Sequence, residues 1–125
     1  MKRWVLTAAL ICLPVSAQAM TVAEFLAKAD ALKAKGMFAL MSSDIGLLKA
    51  EMKSVGSAYR DDILAARKAG TPPHSCPPPR GTKGASMTST ELLDELRKVP
   101  PAQARTTSMK TAFYAMMKRR FPCPA

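Results

Sequence analysis

The sequence is poor in several residue types, and each shortage removes a class of function. It holds one histidine, His74, so a tetrahedral zinc site has too few ligands and a histidine-based catalytic apparatus has a single candidate. It holds one tryptophan, Trp4, and no glycine-rich loop of the kind that cradles phosphate. No recognition helix with interleaved aromatic residues is apparent, which argues against nucleic-acid binding. Only one long apolar run exists, Trp4–Val15, and it is too short for a membrane span, which needs roughly 20 residues. Nothing alternates with the period of two that a half-buried strand requires, and no internal repeat is present.

The residues around that apolar run explain it. Lys2 and Arg3 precede it, and Ser16, Ala17, Gln18 and Ala19 follow. A basic start, an apolar middle and small side chains at Ala17 and Ala19 form the pattern of a cleavable secretory signal over residues 1–19. Cys12 does not suit a lipid-anchored cysteine, because bulky Leu10 and Ile11 stand where small residues belong. The expected mature chain is therefore residues 20–125, periplasmic and soluble, with no transmembrane segment. Removing Lys2 and Arg3 leaves seventeen basic residues against nine acidic ones, a formal +8. Such a charge suits contact with anionic headgroups or an acidic protein, as well as plain solubility.

Outside the signal the cysteines are Cys76 and Cys123. In an oxidising compartment two cysteines most simply pair with one another, with an interchain bond across a dimer seam as the rival. Each lies beside a proline and outside a helical pattern, where the backbone can turn toward its partner.

Helical patterns fill most of the remaining chain. Thr21 and Glu24 have capping-box spacing, and Val22, Phe25, Leu26, Ala29 and Leu32 follow on one face until Gly36. Residues 37–41 are consistent with one helical turn. Ser42, Ser43 and Asp44 offer caps for a long helix over 45–69, with Ile45, Leu48, Met52, Val55, Tyr59, Ile63 and Ala66 as its buried stripe. Gly46 and Gly56 within it suggest close approach by a neighbouring helix. Residues 71–87 contain five prolines, which exclude both a helix and a central strand; His74 reads there as an exposed loop residue. Thr88 and Glu91 repeat the capping box for a third helix, with Leu92, Leu93, Leu96 and Val99 on its apolar side and Pro100–Pro101 as its stop. A last helix is predicted between 102 and 120, with Met109, Ala112, Phe113, Met116 and Met117 facing inward. The predicted fold is all-α, a small bundle of four or five helices, with one disulfide tying the proline-rich loop to the C-terminus.

No catalytic constellation emerges from this pattern, and no cofactor is implied. Asp61 and Asp62 read as a solvated edge, and Glu91, Asp94 and Glu95 as helix-start acids. Lys118, Arg119 and Arg120 complement the negative pole of the last helix and also form a candidate docking surface for an acidic partner. The nine methionines mostly fall on core-facing positions, so packing is their expected role.

The C-terminal half resembles a known family. His74 to Pro78, Met87 to Leu96, Pro100 with Pro101, and Thr111 to Cys123 are similar to the Rap1a/Tai family. Its members are periplasmic immunity proteins that neutralise peptidoglycan amidase toxins delivered by type VI secretion. The family's Cys-Pro element falls on Cys76 and Pro77, its short amphipathic helix on 89–98, and its terminal Phe-Pro-Cys on Phe121, Pro122 and Cys123. Residues 20–70 depart from many members in having no cysteine. The resemblance implies a non-catalytic protein whose partner is a cell-wall-degrading effector, with homodimer formation in the manner of the family; it assigns no toxin-contacting residue. The competing expectation is a structural or chaperone-like envelope protein that uses its basic surface on acidic clients.

Overall fold

The computed structural model describes residues 19–125; the signal segment lies outside the described residues apart from Ala19. The described residues fold into five α-helices: α1 (Val22–Lys35), α2 (Ser43–Ala69), α3 (Ser89–Arg97), α4 (Pro101–Ala104) and α5 (Met109–Arg120). A short 3-10 helix, Gly36–Met41, joins α1 to α2. The all-α expectation is met.

Local chemistry explains most helix ends. Thr21 and Thr88 each accept a hydrogen bond at the side chain from the amide three residues on, while the Glu24 and Glu91 carboxylates accept one from the cap amide. At Glu91 the Thr88 amide and hydroxyl hold the carboxyl below its usual range. Ser42 caps α2 through the Asp44 amide, which extends this helix two residues beyond the expected start. Gly70 closes it at φ 71°, a left-handed conformation that glycine adopts without steric cost.

The last helix lies within the expected bounds of 102 and 120, and it starts at Met109. Pro101 starts the four-residue α4, the chain turns at 105–108, and Ser108 caps α5 by accepting from the Thr111 amide. Proline favours a first helical turn because its missing N–H has no partner there anyway, so Pro101 both ends one pattern and begins another. One expectation is corrected: the glycines of α2 do not mark a helix crossing. A Cβ on Gly46 would meet nothing within 4 Å, and one on Gly56 would meet only the Arg60 side chain at 3.7 Å.

Helix α1 is the hub, packing on α2, α3, α4 and α5. Val22 and Phe25 from α1, Val55 from α2, Leu96 from α3, Ala104 from α4, and Met109, Ala112 and Met116 from α5 make one buried cluster. The starts of α1 and α5 are also joined by backbone: Val22 N–H donates to Thr107 O and Met109 N–H to Met20 O, both at 2.9 Å. This isolated bridge between Thr21 and Ser108 aligns the two helix starts. A second, smaller cluster of Tyr59, Ile63 and Met117 lies farther along α2.

Cys76 and Cys123 form an intrachain disulfide across 47 residues of sequence, so the interchain alternative does not hold. Beside it the Cys76 amide donates to Phe121 O at 2.8 Å. No described helix is long and apolar enough to cross a membrane.

Candidate interaction surface and its aromatic anchor

The residues richest in chemistry meet where the second core cluster lies. Helix α2 supplies Tyr59 and Asp62, α5 supplies Phe113 and Tyr114, and the segment after α2 supplies His74 and Ser75. The His74 ring stacks on Tyr114 with centroids 4.7 Å apart and lies 5.3 Å from Tyr59. Phe113 and Tyr114 both present edges to Tyr59, at 5.5 and 5.6 Å. Offset and edge-on arrangements of this kind are favoured by the ring quadrupoles.

His74 is thus not the exposed loop residue its proline-rich surroundings suggest. The disulfide two residues later draws the segment across α2 and α5, and both ring nitrogens are buried without a hydrogen-bond partner among the described residues. Its neighbour Ser75 is fully buried, and its hydroxyl is 2.7 Å from the Tyr59 hydroxyl. The serine is therefore committed to the tyrosine and not to the imidazole, so these groups do not have the geometry of a nucleophile activated by a base. Tyr114 donates to Asp62 at 2.6 Å. Desolvation first, then this bond and the Asp62 charge, push the Tyr114 phenol well above its usual range, so it stays a neutral donor. Asp62 is exposed but is a partner in this anchor, not simply a solvated edge.

The Tyr59–Ser75 bond carries a measurable load. Tyr59→Phe should cost about 1–2 kcal/mol, because it leaves the buried Ser75 hydroxyl unpaired. Tyr59→Phe combined with Ser75→Ala should cost less than the sum of the single changes, since both polar partners are then gone. Chemical denaturation of the four proteins checks both statements. Additive losses would mean the two hydroxyls do not act as a pair.

The three basic residues at the end of α5 have separate fates. Arg120 turns back and donates to Ser86 O at 3.0 Å and Gly84 O at 3.3 Å, fastening the 84–86 loop. Lys118 and Arg119 remain exposed. Arg119 reaches Glu95 of α3 at 3.8 Å, and Lys98 also pairs with Glu95. Exposed pairs of this type contribute little to stability, typically below about 1 kcal/mol. Arg119, Arg120, Glu95 and Lys98 line a groove of about 630 Å³ between α3 and α5, together with Glu91, Asp94, Met87 and Met116. Sequence reading found the cluster but not its division, which depends on contacts 34 and 36 residues away.

Among the described residues, no three His, Cys, Asp or Glu side chains gather into a metal-ligand set. No family model matches this chain, and no curated protein or solved structure matches it.

Proposed function

We propose that the chain is an exported, non-catalytic binding protein that occludes a cell-wall-degrading enzyme, acting as an immunity protein against a peptidoglycan amidase of a type VI secretion system. The specific enzyme class comes from the resemblance of residues 74–123 to the Rap1a/Tai proteins. One structural observation carries the binding reading: Lys118 and Arg119 stand exposed on the last turn of α5, one turn of chain ahead of the disulfide-bonded Cys123. The bond makes the proline-rich segment a strap across the domain and holds the end of this helix in place. A cation pair on a fixed element complements an acidic surface with little ordering cost on binding.

The test is inhibition by the purified mature protein of a peptidoglycan amidase toxin, sought first among the products of neighbouring genes. A tight complex that survives about 0.5 M salt and abolishes hydrolysis of peptidoglycan is the expected result. Lys118→Glu with Arg119→Glu should weaken that complex by at least about tenfold through its association rate, given the usual size of steering effects. Salt-sensitive binding to unrelated acidic proteins, with no inhibition, would replace this reading with that of a general envelope-binding protein.

A further inference from the structure

The 3-10 helix between α1 and α2 carries four large apolar side chains that nothing in the domain covers. Met37, Phe38, Leu40 and Met41 are 91, 76, 80 and 86% exposed. Leu47, on the next turns of α2, is 48% exposed. The six residues from Gly36 to Met41 contain no polar side chain. The segment is nonetheless ordered at both ends: Gly36 N–H donates to Lys33 O, Ser42 N–H donates to Ala39 O, and Lys35 Nζ donates to Ser42 Oγ at 3.1 Å across the base. A held, wholly apolar protrusion of this density costs solubility, and isolated exposed leucines do not explain it.

Three lysines on the two helices it joins carry unpaired charge. Lys33, Lys35 and Lys49 are exposed and make no ion pair among the described residues. The nearby carboxylates are already engaged, Asp44 by Lys28 at 3.3 Å and Asp30 by Arg97. An apolar tip with unpaired ammonium groups on the two helices it joins matches the layers of an anionic bilayer surface, with acyl chains below and negative headgroups above them. A second copy seated tip to tip would instead bring the same lysines together, because a two-fold contact sets identical patches against each other. We propose that residues 36–41 form an anchor by which the mature protein docks on membranes rich in anionic phospholipid, Phe38 and Leu40 entering the interface and Lys33, Lys35 and Lys49 resting on the headgroups. This inference is independent of the enzyme-binding reading, and its test contains no enzyme.

The experiment is co-sedimentation of the mature chain, residues 20–125, with vesicles of phosphatidylcholine containing about 30% phosphatidylglycerol, and with phosphatidylcholine alone. The protein should pellet with the anionic vesicles and remain largely free with the neutral ones. Phe38→Ser with Leu40→Ser should reduce partitioning at least about tenfold, since both side chains lose apolar burial. Lys33→Gln with Lys35→Gln should remove the preference for phosphatidylglycerol. Both variants alter exposed side chains, so helical circular dichroism and melting should match the parent. Phe38→Trp, the sole tryptophan of that chain, should show blue-shifted emission on anionic vesicles only. Failure of the parent to bind vesicles would overturn the proposal, as would undiminished binding by the double serine variant, which would indicate adsorption by charge alone. A dimer or a complex with another protein that depends on Phe38 and Leu40, with vesicles left untouched, would equally overturn it.

Discussion

Replacing Cys76 and Cys123 together by serine should lower the stability of the domain by about 4 kcal/mol, the chain-entropy value for a loop of this length. The bond closes 47 residues of sequence, from within the segment after α2 to the residues that follow α5. For a domain of this size the loss corresponds to a fall in melting temperature of roughly 15–30 °C. The effect is large because the segment it holds has few other supports. Between Thr71 and Thr88 the backbone contributes only scattered turn bonds and the single bridge from Cys76 to Phe121. The helices have their own caps and share the buried cluster around Val22 and Leu96, so far-ultraviolet circular dichroism of the variant should remain helical in the cold. The near-ultraviolet signal of Tyr59 and Tyr114 should weaken, because His74 is pressed onto those rings by the strap. Thermal melts of oxidised parent, reduced parent and double variant decide the point. The reduced parent and the variant should melt together and well below the oxidised protein; three coincident curves would show that helix packing suffices without the bond.

Leu96→Ala should cost about 3 kcal/mol, within the usual range for removing a buried leucine and leaving a cavity. Leu96 is 1% exposed and lies in the cluster made by Val22, Phe25, Met109 and Met116. It is the one fully buried side chain of α3, a helix of nine residues that is too short to persist without tertiary contacts. Loosening α3 also frees Glu95 and Lys98 from their places beside Arg119, so the groove next to α5 should lose its shape with the core. Leu64→Ala is the control: this residue is 61% exposed, and its truncation should stay within about 0.5 kcal/mol of the parent. Urea midpoints at constant slope measure both. Equal effects at Leu96 and Leu64 would contradict the burial that separates them.

What the sequence determined by itself is what acts over a few residues. The capping boxes at Thr21 and Thr88, the glycine stop at Gly70 and the apolar stripe through Val55, Tyr59 and Ile63 depend on spacing alone, because a helix places neighbours three and four apart on one face. The pairing of Cys76 with Cys123 was also legible, since the expected compartment and the cysteine count left few choices. The start of α5 was bounded only to the stretch 102–120, although the Ser108 cap marks it locally. The remaining features required tertiary structure. His74 is enclosed by Tyr59 and Tyr114, residues far from it along the chain; Arg120 reaches back to the 84–86 loop, and Thr21 is bridged to Ser108. No periodicity encodes such meetings, because they follow from how helices of different length stack and where the strap crosses them. The same reason applies to residues 37–41: their apolar composition was plain, but only the arrangement of α1 and α2 decided that no other element covers them. Hydrophobic burial needs a neighbour as well as an apolar side chain, and the fold leaves these residues without one.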